Sequence, residues 1–598
     1  MLANDKNKVL LTALGKRPAD LVIINGTLID VYTKRVIPER SVALCGEYIA
    51  YTGPDASHTI GRHTRIIDAG GRILSPGYID SHTHIEKYWD INEFLKYALV
   101  GGTTSYITNL NSYGLAAGKR GVEAFLSQIR DVPVDIRCLV PSLVSLSPAV
   151  QGQYIDRDGL AALLGDEKIA GIGESYWQEV IGGAGSRFLA SMETVEAAGK
   201  IIEGHGAGAA DKKLAAYTAT GVRSCHEAIT SEQVLQRLEM GLYAMVREGD
   251  IRRDLDILLP IIDGIDTSRV ILVTDGTNPA ALIEDGYFVD VLQKAVDMGI
   301  DPVRVISMAT LNPATYLGID HQVGGIATGR LANILILPGL DRLRPDLVIA
   351  RGQVVAENGV MTVSLPSCPP QPFLFDTVKI PEITVALLRT PQGENKSTVR
   401  CLDIDAGGLV TTEGFCDAPV CSGDFVQNPD QDLLKLVFME RVSGNGEYFT
   451  GFVRGWGANK GAVATTLCWD ASGVVAVGAV DEDLALAMNT VANMRGGIVV
   501  VVEGTIIFSM PFPVAGYVST NPMTELAQGF RHFQALMTSL GCPLDFALRT
   551  IGTLTSAAIP FFKVNEKGYY RFREKQTIGY LTDPPEPSNL QSPAGGGA

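Results

Sequence analysis

Two histidines one residue apart, His82 and His84, close the apolar run GYIDSHTH at residues 77–84. In an extended strand, side chains two apart face the same side, so both imidazoles can point at one ion. Further along, Glu174 ends IAGIGES, His205 ends KIIEGHG, His226 ends GVRSCHE and Asp275 ends RVILVTDG. Four imidazoles and two carboxylates suit one or two divalent cations of the Zn, Mn or Fe type. Such a pair of cations activates water for hydrolysis at neutral pH.

A single strand histidine more often packs in a core than binds a metal. This chain, however, has only 8 histidines, and four of them fall at expected strand ends. The other four, His58, His63, His321 and His532, lie in peripheral strands, connections and a C-terminal helix pattern, and are assigned to structure or surface. Asp275 alone would read as a helix cap; its place after VILVT favours a role in the chemistry.

The elements that must position these residues follow a regular order. Eight β-runs, at 77–84, 103–109, 136–143, 169–175, 200–206, 221–227, 242–249 and 269–276, alternate with amphipathic stretches such as DINEFLKYALVGG and SEQVLQRLEMG. That alternation predicts an α/β fold built on a (β/α)8 barrel, which carries its chemistry at the C-terminal ends of its strands. Segments 1–76 and 319–363 read as two halves of one small β-sandwich-like layer around the barrel, residues 77–318. A Pro-rich linker (364–384), an α+β C-terminal domain (385–582) and a disordered tail (583–598) complete the expected order.

Composition narrows the function class. The formal net charge of -16, from 50 basic against 66 acidic residues, argues against nucleic acid as a partner. Nine scattered cysteines without a CxxC read as reduced thiols of a cytoplasmic protein. The N-terminus lacks a secretory signal pattern. The longest apolar runs fall short of the roughly 18–20 residues needed to cross a bilayer, so no membrane partner is expected.

Longer stretches resemble the bacterial adenine deaminase family of the amidohydrolase superfamily. They are PGYIDSHTHIE (76–86), GIGES (171–175), GHGAGAADKKLAAY (204–217), GVRSCHEAITSEQVLQRLEMGLYAMVREG (221–249) and MATLNPATYLGI (308–319), and in the C-terminal unit GFVRGWGANKGAVA, DEDLALAMN and PFPVAG. The resemblance implies a metal-dependent hydrolase that attacks a C–N bond of a nitrogen heterocycle with a metal-activated hydroxide. Adenine or a related aminopurine would be the substrate and ammonia the product. It further implies two divalent metal ions (Mn, Fe or Zn): His82, His84 and Asp275 on one, His205 and His226 on the other. Glu174 would bridge them, where many relatives use a carboxylated lysine. Asp275 and Glu227 would be catalytic, Glu86, Asn109 and Tyr287 would touch substrate, and the chain would form a homo-oligomer.

The sequence also departs from that family. Thr108, Asn109, Leu110 and Asn111 stand where it shows DPHE, and Trp469–Gly473 where it shows HDSHN. Thr274, Asp275, Gly276, Thr277, Asn278 and Pro279 replace TDDRHP, Tyr287 replaces a histidine, and Val442 replaces the VERH histidine. The pattern predicts an intact metal centre in a reshaped pocket. Two other readings stand beside the deaminase: ring-opening hydrolysis of a cyclic amide by the same centre, and a non-catalytic binding descendant.

Overall fold

The computed structural model describes residues 1–182, 185–393, 397–559 and 561–582. The tail expected at 583–598 lies outside the described residues.

The site rests on eight parallel strands: β1 (Tyr78–Thr83), β2 (Thr103–Asn109), β3 (Asp135–Pro141), β4 (Ile169–Tyr176), β5 (Ile201–His205), β6 (Ser224–Cys225), β7 (Tyr243–Arg247) and β8 (Val270–Val273). Strands β1 to β5 form one parallel sheet in sequence order and β6 to β8 another. A hydrogen bond from Arg223 N to Ile202 O (3.0 Å) ties the first sheet to the second, and Asp275 N to His82 O (3.1 Å) ties β8 back towards β1.

The period of two along these strands gives the curled sheet two distinct faces. Ile79, Ile107, Leu139, Ile201, Met245 and Ile271 meet in one cluster on the inner side. Their neighbours Tyr78, Tyr106, Cys138, Ile202, Ala244 and Leu272 face outward into the main core. Both faces are therefore apolar, as buried parallel strands require.

The helices over the outer face fall close to the expected stretches. Ile91–Ala98 starts at Asp90, whose side chain accepts from Asn92 N. Ser231–Glu239 starts at Thr230, which accepts from Gln233 N. The alternation fails once. Between β7 and β8 the chain makes only 3-10 turns, at Leu255–Leu258, Ile262–Gly264 and Thr267–Arg269. Pro260 and Gly264, both poor helix formers, interrupt that stretch.

Flanking segments 21–76 and 334–361 build one continuous nine-stranded sheet. Ile73–Pro76 pairs antiparallel with Ile334–Leu337 (Leu74 opposite Ile336) and so joins the halves. The two segments expected to form one β-layer thus hydrogen-bond into a single sheet.

The C-terminal unit carries an eight-stranded sheet, with helices Asp481–Asn493, Met523–Ser539 and Ala547–Thr553. It shares a core with the parallel strands, Tyr88 packing edge-on against Phe530 with centroids 5.2 Å apart. The nine cysteines are all free. No helix among the described residues is long and apolar enough to cross a membrane.

Candidate metal centre

The strands deliver their ionisable residues to one end. His82 lies on β1 and His84 just beyond it; Glu174 lies near the end of β4, His205 closes β5, and His226 follows β6 directly. Glycines make the approach of β4 possible. A Cβ at Gly173 would sit 1.6 Å from Asn109 Oδ1, and one at Gly171 would sit 1.9 Å from Ile201 O. Glu174 (φ +33°) and Asp275 (φ +55°) both take left-handed backbone, strain that surrounding structure must hold in place.

Six side chains converge. His82 Nε2 lies 3.1 Å from Asp275 Oδ1, and His84 Nε2 lies 3.5 Å from the same oxygen. Glu174 Oε1 stands 3.9 Å from His84 Nε2, 3.7 Å from His205 Nδ1 and 3.8 Å from His226 Nε2. These atoms form overlapping groups that can hold a cation: His82, His84 and Asp275; His82, Glu174 and His226; His205, His226 and Glu227.

The donor chemistry fits divalent metal. His205 Nε2 lies 3.2 Å from the Ala558 carbonyl, so a neutral ring would carry its proton there and turn the Nδ1 lone pair to the cluster. That Nδ1 is buried with no hydrogen-bond partner among the described residues.

Charge points the same way. Burial disfavours protonated imidazole, yet the neighbouring carboxylates win and hold His84 and His205 at about 9. Burial likewise opposes ionisation of Glu174, but His205, His84 and His82 bring it down to about 2. Asp275 lies well below its ordinary value: the hydrogen bonds and charge of His82 and His84 overcome its burial. His226 alone moves downward, through burial and the charge of His82. Protons on the imidazoles thus stand where dications would neutralise the carboxylates.

Glu227 joins from the His226 side, its Oε1 3.0 Å from His226 Nε2 and 2.8 Å from Arg247 Nη1. Arg247 also meets Asp275 at 3.3 Å and Asp254 at 3.1 Å. Of the expected substrate contacts, Glu86 lines the cavity beside the cluster. Asn109 and Tyr287 do not. Asn109 sits at the end of β2 and donates to Glu203 Oε2 at 3.2 Å. The Tyr287 hydroxyl donates to Asp80 at 2.7 Å beneath the site. Both side chains are thus engaged by buried carboxylates.

The substituted DPHE-like segment has a clear role instead. Thr108 Oγ donates to Glu86 (2.9 Å), Asn109 to Glu203, and Asn111 Nδ2 to Glu174 Oε2 (2.5 Å). Each is a neutral donor satisfying a buried carboxylate.

Several functional residues escaped the sequence reading. Glu203 Oε1 lies 3.1 Å from His82 Nδ1, and Arg247 gathers three carboxylates. A charge inside the apolar strands IIEGH and YAMVR was the available signal. Asp470 gave no such signal, because only the folded chain brings it from the C-terminal unit. Its carboxylate accepts from Tyr176 Oη (2.8 Å), Ser556 Oγ (2.6 Å) and Ala558 N (3.1 Å).

A curled parallel sheet ending in a cluster of histidines and carboxylates is the arrangement of metal-dependent amidohydrolases, and residues 73–355 match the Amidohydrolase family. Residues 408–576 match the Adenine deaminase C-terminal domain. An adenine deaminase from Moorella thermoacetica is 33% identical over 97% of this chain and 99% of its own. Another, from Rubrobacter xylanophilus, is 34% identical over 94% of this chain and 95% of its own. The chain belongs to the adenine deaminase family. Among solved structures, a beta-aspartyl dipeptidase from Fervidobacterium islandicum aligns with 57% of this chain and 98% of its own, at a TM-score of 0.45 and 16% identity.

Proposed function

We propose that this chain deaminates adenine or a closely related aminopurine, replacing an exocyclic C–NH2 with C=O and releasing ammonia. The observation that carries the reading is Glu174 Oε1 within 3.9 Å of three imidazoles, in a chain related along its length to adenine deaminases. The eight strands then act as a (β/α)8 barrel with its site at their C-terminal ends. His82, His84 and Asp275 would hold one divalent ion, His205 and His226 the other, and Glu174 both. When bound, two such ions (Mn, Fe or Zn) lower the pKa of water enough to make a nucleophile at neutral pH.

The side chains supply the rest. Asp275 accepts the proton of the attacking water and passes it to the departing amine. Arg247, 3.3 Å from Asp275 Oδ2 and 2.8 Å from Glu227 Oε1, keeps both carboxylates ionised between turnovers. Glu227 is the second proton-handling group, facing the cavity from the His205–His226 side. Leu115, Leu467, Tyr176 and Trp469 line the cavity and exclude water around a flat ring. We read the protein as a cytoplasmic homo-oligomer; light scattering tests the assembly.

Ammonia release from adenine by protein supplied with Mn, Fe or Zn tests the function. Ammonia and hypoxanthine in equal amounts are expected. A ring-opened acid without ammonia, or silence against every aminopurine in metal-replete protein, refutes it.

A further inference from the structure

Lys87 directly follows the His82–Glu86 run and lines the same cavity as His84, Glu174 and Asp275. Its position is fixed through its neighbour. Tyr88 N donates to Tyr517 O at 2.8 Å, and Ser519 N donates to Tyr88 O at 3.0 Å, so the C-terminal unit clamps this turn. The ammonium lies over Trp469, 4.5 Å from the ring centroid, and 5.3 Å from that of Tyr88. Aromatic faces attract a cation, but they leave its three N–H donors without oxygen acceptors. Among the described residues, no carboxylate pairs with Lys87 Nζ and no oxygen accepts a hydrogen bond from it.

The other charged and amide groups on the wall are already engaged. Asn111 serves Glu174, Thr108 serves Glu86, three donors hold Asp470, and Arg247 serves Glu227 and Asp275. Lys87 is the cation left facing the cavity. A ligand oxygen would supply the acceptor that the aromatic faces do not. Glu86 and Asp275 line the cavity beside it, so an incoming acceptor meets carboxylates as well as the ammonium, which favours a neutral carbonyl oxygen over an anionic one.

We propose that Lys87, seated on Trp469, recognises a ring oxo group, so the preferred substrate is an amino-heterocycle carrying a carbonyl besides its leaving amine. This specificity rests on the deaminase function proposed for the same site. The test uses metal-loaded, full-length enzyme and two probes, 6-aminopurine and 6-amino-2-oxopurine. Both are measured by calorimetry and by ammonia release.

Wild type should favour the oxopurine by roughly 10- to 100-fold in Kd and kcat/KM, the range of one hydrogen bond to a charged donor. Lys87→Met keeps the aliphatic stem and should erase the preference, chiefly through KM; Lys87→Arg should retain part of it and controls for folding. Equal affinity of wild type for both purines, binding of neither, or a preference that survives in Lys87→Met would overturn the proposal. Ammonia from neither purine would instead refute the deaminase reading, and calorimetry would still decide the role of Lys87.

Discussion

Replacing Asp470 by alanine separates a C-terminal domain that merely leans on the metal centre from one that helps to build it. The carboxylate accepts from Tyr176 Oη, Ser556 Oγ and Ala558 N, and the Ala558 carbonyl in turn faces His205 Nε2 at 3.2 Å. One residue therefore carries orientation from Asp470 to a proposed metal ligand. Alanine leaves the Tyr176 and Ser556 hydroxyls dry in a buried site, at about 1 kcal/mol each, whereas Ala558 N keeps Ser556 Oγ at 3.1 Å, so urea denaturation should show a loss of ~2 kcal/mol. Freed from its anchor, the 556–558 segment no longer fixes the His205 tautomer. Loss of such a supporting partner lowers metal affinity by roughly 10- to 100-fold. Metal titration of chelator-stripped protein, followed by calorimetry, measures this apart from turnover. Tyr176→Phe removes one donor and keeps the ring against His205 (4.4 Å between centroids), so it should cost about 1 kcal/mol and bind metal nearly as wild type. Unchanged metal affinity in Asp470→Ala, with stability lowered, would refute the orienting chain.

Glu174→Gln keeps the shape of the central carboxylate but not its charge. Elemental analysis should show metal content falling below that of wild type, for which two ions per chain are expected, with turnover largely lost; unchanged metal would demote Glu174 to a bystander. Adding metal to stripped protein at pH 7 to 8 should release protons, because His84 and His205 sit at about 9 without metal and must be neutral to ligate. A weakly buffered titration with a pH dye reads it, and an absence of proton release would contradict the exchange of imidazole protons for dications. Lys563 is buried with its amine lowered from 10.5 to about 7 by burial. The unfolded chain then binds more protons between those values, so this group makes stability rise with pH from 7 to 10.5, by up to ~5 kcal/mol. Lys563→Met should remove that slope and stabilise the protein at pH 7; urea midpoints across the range measure it, and an unaltered slope would refute the assignment.

The sequence-legible part of this molecule is the part governed by short-range rules. His82 and His84 share a face because a strand repeats every two residues, and strand ends mark where parallel β/α units place polar groups. Those rules named six side chains that lie together at one end of the curled sheet. They failed where separation along the chain is large and separation in space is small. Asn109 and Tyr287 were expected at substrate because they replace polar residues of the family pattern, yet one serves Glu203 and the other Asp80. A substitution near a site in sequence shows only that the local environment changed, not that it faces the ligand. Asn111, two residues on, reaches Glu174, since β2 ends at Asn109 and the chain turns into the helix Asn111–Gln128. Asp470 and Trp469 come to the site from the C-terminal unit. They line the cavity beside a turn that Tyr517 and Ser519 clamp at Tyr88, a contact between segments more than four hundred residues apart. Local pattern thus assigns the ligands that strands carry, whereas the groups that orient them and meet the substrate come from packing between units.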